Sequence, residues 1–227
     1  MTTIDDVLRN RPRARQPYPD PARQAAMRAR RLDPPPIDFN VRGESMAAMS
    51  ARHGLETLLG AWRQISELAC NPHTPLRELG ERGWNAMQRG LAATDRARNT
   101  VEANIKALDK TIAEKTMPPI SDAMAGELRS LVRQDPSRAF DLVREDVRFS
   151  SALLRAPAAL SGLRPDQHDK VREMAELTHA PREVALRGEA TAAREVLDKA
   201  GERAMGVVAA KLSEWQEATP DMGALDG

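Results

Sequence analysis

Aromatic side chains are scarce in this chain: three Trp, three Phe and one Tyr, 3% of 227 residues. Sandwiches and barrels draw their cores from aromatic and β-branched strand residues, so that scarcity argues against both architectures. Cysteine is rarer still. Cys70 stands alone, which excludes an intrachain disulfide and a cysteine zinc cluster; a single thiol near a helix end is expected to be a small buried hydrophobe. No apolar run approaches the roughly 20 residues that a membrane helix needs. The opening residues include Asp5 and Asp6, acids where a secretory signal has a basic start and an apolar stretch, so no signal peptide is expected. Gly-x-x-x-x-Gly-Lys, Gly-x-Gly-x-x-Gly and Gly-x-Ser-x-Gly are all absent. The loops that cradle phosphates and the strained turn that presents a nucleophilic serine are therefore missing.

Metal ligation finds little support either. Glu173, Glu176 and His179 include one Glu-x-x-His, half of the set that a di-metal helical bundle uses, and no second copy exists. Cys70 and His73 have ligand-like spacing but supply two ligands where zinc takes three or four from protein; His53 and His168 sit among polar helical residues. The expectation is no catalytic residue, no cofactor, no metal and no small-molecule substrate.

What the chain has in quantity is charge, alanine and proline. Charged residues make up 30% and the net charge is +1, too little for the molecule as a whole to be drawn to nucleic acid or an anionic surface. The charge is unevenly placed. Residues 1–33 hold eight Arg against four Asp, a balance of +4, which leaves −3 for the rest. Seven of the sixteen prolines fall in residues 1–43. Proline fixes φ and biases its predecessor to extended geometry, so this region is expected to form an extended arm without a core of its own. Arg9, Arg11, Arg13, Arg15, Arg23, Arg28, Arg30 and Arg31, with Tyr18 available for stacking, suit two roles. They can neutralise phosphates of a nucleic acid or pair with carboxylates of a neighbouring chain, clamping it.

From residue 44 onward the periodicity is helical throughout. Ser45 is placed to cap a helix to about residue 69, with Met46, Met49, Leu55, Leu58, Leu59, Trp62, Ile65 and Leu68 as its apolar face. Thr74 is expected to cap the next helix, with Pro75 at its first position, running to about residue 115. That helix carries a heptad: Trp84, Met87, Leu91, Thr94, Arg98, Val101, Ile105, Leu108 and Ile112. A period of 3.5 is the mark of lengthwise helix packing, within one chain or between chains. Arg98 discriminates between arrangements, because burying an unpaired guanidinium costs several kcal/mol. Residues 120–178 read as shorter helices, one of them opening at Asp135-Pro136 and continuing as far as Leu154. A second long helix spans about 181–218, with Val184, Leu197, Ala200, Ala204, Val208, Leu212 and Trp215 as its seam. The expected fold is all-α: an arm over 1–43, then a helical domain over 44–227 made of a hairpin (44–117), short helices (120–178) and the last long helix.

The stretch Asp146-Val-Arg-Phe-Ser-Ser-Ala-Leu-Leu-Arg-Ala-Pro-Ala-Ala-Leu-Ser-Gly-Leu163, with the helix that ends the chain, resembles small helical proteins encoded among bacteriophage structural genes. The resemblance implies a non-enzymatic virion component of the capsid interior, portal or tail, or one ejected with the genome, made in the bacterial cytoplasm and packaged afterwards. Its expected partners are copies of itself, joined through the long helices and clamped by the arm, and larger virion proteins, with DNA contact open to the arm. Two other classes fit the residues: a nucleic-acid-associated protein that uses the arm, and a bacterial helical adaptor that binds another protein's helix in a groove.

Overall fold

A computed structural model describes residues 30, 40–71 and 73–217. Of these, 86% are helical, in seven α-helices and two short 3-10 turns, with no strand among the described residues; the fold is all-α. The helices are α1 (Met46–Cys70), α2 (Leu76–Thr116), α3 (Asp122–Gln134), α4 (Ala139–Glu145), α5 (Val147–Leu154), α6 (Pro165–His179) and α7 (Pro181–Glu217).

Local chemistry sets most of the boundaries. The Ser45 hydroxyl accepts from the Ala48 N–H at 3.2 Å and that of Ser121 from Met124 at 3.3 Å, each satisfying a donor that its helix leaves open. Pro165 and Pro181 begin α6 and α7, where a missing N–H costs nothing. Two expectations need correction. Pro75 itself is the cap of α2, with extended backbone, and Thr74 makes no capping bond. The helix expected from Asp135 to Leu154 breaks at Asp146, whose carboxylate accepts from the Arg148 N–H at 2.9 Å and starts α5 afresh.

The long helices form a three-helix bundle with α2 in the centre. Gly54 of α1 faces Ala97 and Gly90 of α2 faces Ala61, so α1 runs antiparallel to α2. Gly80 faces Gln216 and Lys115 meets Glu183, so α7 also runs antiparallel to α2, along its whole length. Small residues line these contacts. The buried side of α1 starts with Ala47, Ala48, Ala51 and Gly54, and that of α2 includes Gly80, Gly83, Ala86, Gly90, Ala93 and Ala97. Where Gly54 meets Ala97, a methyl on the glycine would lie 2.7 Å from the alanine Cβ. The backbones approach that closely because neither residue has a larger side chain. Met46 and Met49, expected in the core, are 69% and 55% exposed. Alanines take the inward positions beside them, which lets α1 lie close to its partners.

α3 to α6 form a second unit with its own core of Val132, Ala139, Val143, Phe149, Leu153, Leu163, Val171 and Ala175. It sits where α2 ends, and α5 satisfies the carbonyls there. Ser150 donates to Thr116, Arg155 to Met117 at 2.7 Å, and Ser151 to Pro118 at 2.6 Å. These acceptors would otherwise need water. Ion pairs secure the junction: Lys115 with Glu183 at 2.7 Å, and Arg187 with both Asp109 and Glu176.

Candidate functional site

The heptad residues of α2 pack against α1 and α7 of the same chain. Met87, Thr94, Val101 and Ile112 are buried; Trp84, Leu91, Ile105 and Leu108 are half-buried. The Thr94 hydroxyl donates to the Gly90 carbonyl at 3.0 Å, so its polar atom is satisfied within the helix. Arg98 lies at the edge of the seam, 49% exposed, with its Nε 3.0 Å from Asp198 of α7 and 3.6 Å from Glu102. The expected cost of burial does not arise, because the guanidinium remains in water beside two carboxylates. Asp198 Oδ1 accepts no aligned hydrogen bond despite this proximity, so the contact is a charge pair of under about 1 kcal/mol.

Of the arm residues, Arg9, Arg11, Arg13, Arg15, Tyr18, Arg23, Arg28 and Arg31 lie outside the described residues. Arg30 donates to the Asn71 carbonyl at 2.7 Å, at the C-terminal end of α1, where the helix dipole favours a cation. The root of the arm lies at the opposite end of α1. Val41 there is 6% exposed and belongs to the bundle core.

Around that root, two clefts meet at Glu189. One, of about 300 Å³, is lined by Asn40, Val41, Arg42, Gly43, Ala192, Ala193 and Val196 as well as Glu189. The other, of about 380 Å³, lies where α2 and α7 run on past the start of α1, between Asn104, Leu108, Leu186 and Met46. Glu189 Oε2 is shielded from solvent and has no hydrogen-bond partner among the described residues. Leaving such an oxygen unsatisfied costs on the order of 1–3 kcal/mol. The carboxylate rests on Gly43, whose φ is +101° and where a methyl would lie 2.3 Å from Oε2. Both the left-handed backbone and the close approach require glycine. Arg42 and Arg182 border the same space, yet no ion pair joins either to Glu189 among the described residues. The heptad reading reached this region only at Leu108. Glu189 carried no signal in the sequence, where it is one acid on a charged helix.

Three of the residues weighed as metal ligands make other contacts. His179 Nε2 lies 2.7 Å from the Val143 carbonyl and His168 Nε2 3.2 Å from that of Leu153; facing carbonyls, both act as donors to the last turns of α4 and α5. Glu176 is held by Arg187. Cys70 is exposed rather than buried, because the inward position at the end of α1 belongs to Ala69. Among the described residues, no three His, Cys, Asp or Glu side chains gather as a metal site would require. No described helix is long and apolar enough to cross a membrane.

One titration stands out. Hydrogen bonding to the Arg148 guanidinium holds the Asp146 carboxyl below its ordinary value, aided by the Arg148 N–H and outweighing the opposing effect of burial. A folded-state value below the unfolded one gives stability that is present above about pH 4 and lost as pH falls through the folded value. Asp146→Asn keeps a capping oxygen but removes the charge. It should lower stability by about 1 kcal/mol or less at pH 7, with the gap narrowing as acid protonates Asp146, as read from urea midpoints at pH 7 and in acid.

No family model matches the chain, and no curated protein or solved structure matches it.

Proposed function

We propose that this chain is a non-enzymatic structural protein of a larger assembly, a helical rod with a basic arm that ties it to neighbouring copies. The resemblance to bacteriophage structural proteins makes the virion the proposed setting, with synthesis in the host cytoplasm. The observation that carries the reading is the closure of the heptad seam against α1 and α7 of the same chain. The rod satisfies its own long helices, which leaves the Arg-rich arm, +4 against a body of −3, as the element with charge to offer a neighbour.

Deleting residues 1–36 tests this. Circular dichroism should show the helices of the body retained, while size-exclusion with light scattering should show a lower mass. Unchanged mass would sink the clamp. A chain whose mass is insensitive to the arm, but which binds DNA through it with an affinity that collapses with salt, would belong to the nucleic-acid-associated class.

A further inference from the structure

We propose that the Glu189 cleft receives an arginine side chain from the arm of a second copy, so that two chains lie antiparallel and exchange arms. The inference rests on the clamp reading and names its receptor.

The cleft has features that suit a guanidinium. Glu189 lines open space on two sides, and its shielded Oε2, against Gly43, has no hydrogen-bond partner among the described residues. Val41, Ala192 and Val196 on one side and Leu108 and Leu186 on the other form apolar walls. An arginine lays its methylene stem along such walls and presents a planar, weakly hydrated fork to the carboxylate. The local cations Arg42 and Arg182 leave Glu189 unpaired, so the missing donor comes from elsewhere. The part of the chain outside the described residues that is richest in donors is the segment before Arg30, with six arginines, and its sign opposes that of the body.

The placement of Arg30 indicates which copy supplies it. Arg30 is bonded at the C-terminal end of α1, while the Glu189 cleft lies at its N-terminal end. The 25 residues of α1 separate these points by about 37 Å at 1.5 Å per residue. Arg30 therefore lies at the end of the rod remote from its own cleft. A second copy laid antiparallel brings its Arg30, and with it the residues that precede Arg30 in sequence, to the end of the rod that holds that cleft, and two-fold symmetry repeats the contact at the other end.

The experiment compares masses of the full-length chain over a hundredfold concentration range by size-exclusion with light scattering. Wild type should have the mass of two copies, or a multiple of two. Glu189→Gln, which keeps the shape and removes the charge, should weaken the association at least tenfold. Replacing Arg9, Arg11, Arg13, Arg15, Arg23 and Arg28 together by Gln leaves the body untouched and should weaken it comparably. Combining both changes should add little to either, because they remove the same contact. If deletion of 1–36 dissociates the copies while Glu189→Gln does not, the receptor is wrong and the clamp stands. If neither changes the mass, both fail. Glu189 satisfied within its own chain, by Arg42, Arg182 or its own arm, would leave the mass of Glu189→Gln unchanged and overturn the proposal.

Discussion

Truncating Trp215 to alanine is expected to lower the unfolding free energy by about 3–5 kcal/mol, the largest effect of any single side chain considered. Trp215 is 2% exposed in the last turns of α7 and belongs to the bundle core. The antiparallel register sets it opposite the first turn of α2, where Leu79 is fully buried. Most other α7 residues in that core are alanines, with Leu197, Val208 and Leu212, so the indole supplies much of the apolar contact at this end. The backbone of a helix cannot close on the void that its loss would leave. The ring's N–H has no partner among the described residues, which separates packing from hydrogen bonding. Trp215→Phe deletes the unsatisfied donor and keeps most of the volume, so it should cost under about 2 kcal/mol. Equilibrium urea unfolding of the three proteins reads both values. A Trp215→Ala midpoint equal to wild type would mean that α7 does not pack along the end of α2.

Gly80→Val should be nearly as damaging, at about 3 kcal/mol, and for the opposite reason: too much volume instead of too little. A Cβ at Gly80 would lie 2.8 Å from the Gln216 backbone N and 3.1 Å from the Leu212 carbonyl oxygen. Backbone atoms cannot rotate aside, so α7 must move off α2. Helix propensity alone favours replacing a mid-helix glycine. That preference should decide the outcome at Gly60, in α1, where a Cβ would meet nothing within 4 Å. Gly60→Ala should therefore raise stability by about 0.5–1 kcal/mol. Chemical denaturation of the pair, with stability moving in opposite directions, tests the close packing of α2 against α7.

Much of the fold was legible because its signals are local. Prolines 165 and 181 start helices by their own covalent geometry, and Ser45 and Ser121 cap through one nearby N–H each. The all-α class followed from composition. Which face of each helix points inward was harder, since that depends on a third helix. α2 is contacted from two sides, so its buried surface spreads from the heptad onto Gly83, Ala86, Gly90, Ala93 and Ala97. These carry almost no hydropathy signal, although Gly83, Gly90 and Ala97 recur every seven residues. Met46 and Met49 misled for the complementary reason: they are large and apolar, but the inward positions in the first turns of α1 are taken by Ala47, Ala48 and Ala51. Glu189 was invisible because its surroundings come from Gly43, distant in sequence. Arg98 meets Asp198, which the last helix contributes and which the spacing along α2 alone does not reveal.

That closure is the central claim, and it is tested most directly by the thermal midpoint of the chain lacking residues 1–36, measured over a hundredfold range of concentration. A bundle complete within one chain unfolds as a monomer, with one cooperative transition at a midpoint independent of concentration. A midpoint that rises with concentration, together with a mass above one copy, would show the long helices closing between chains and contradict the account.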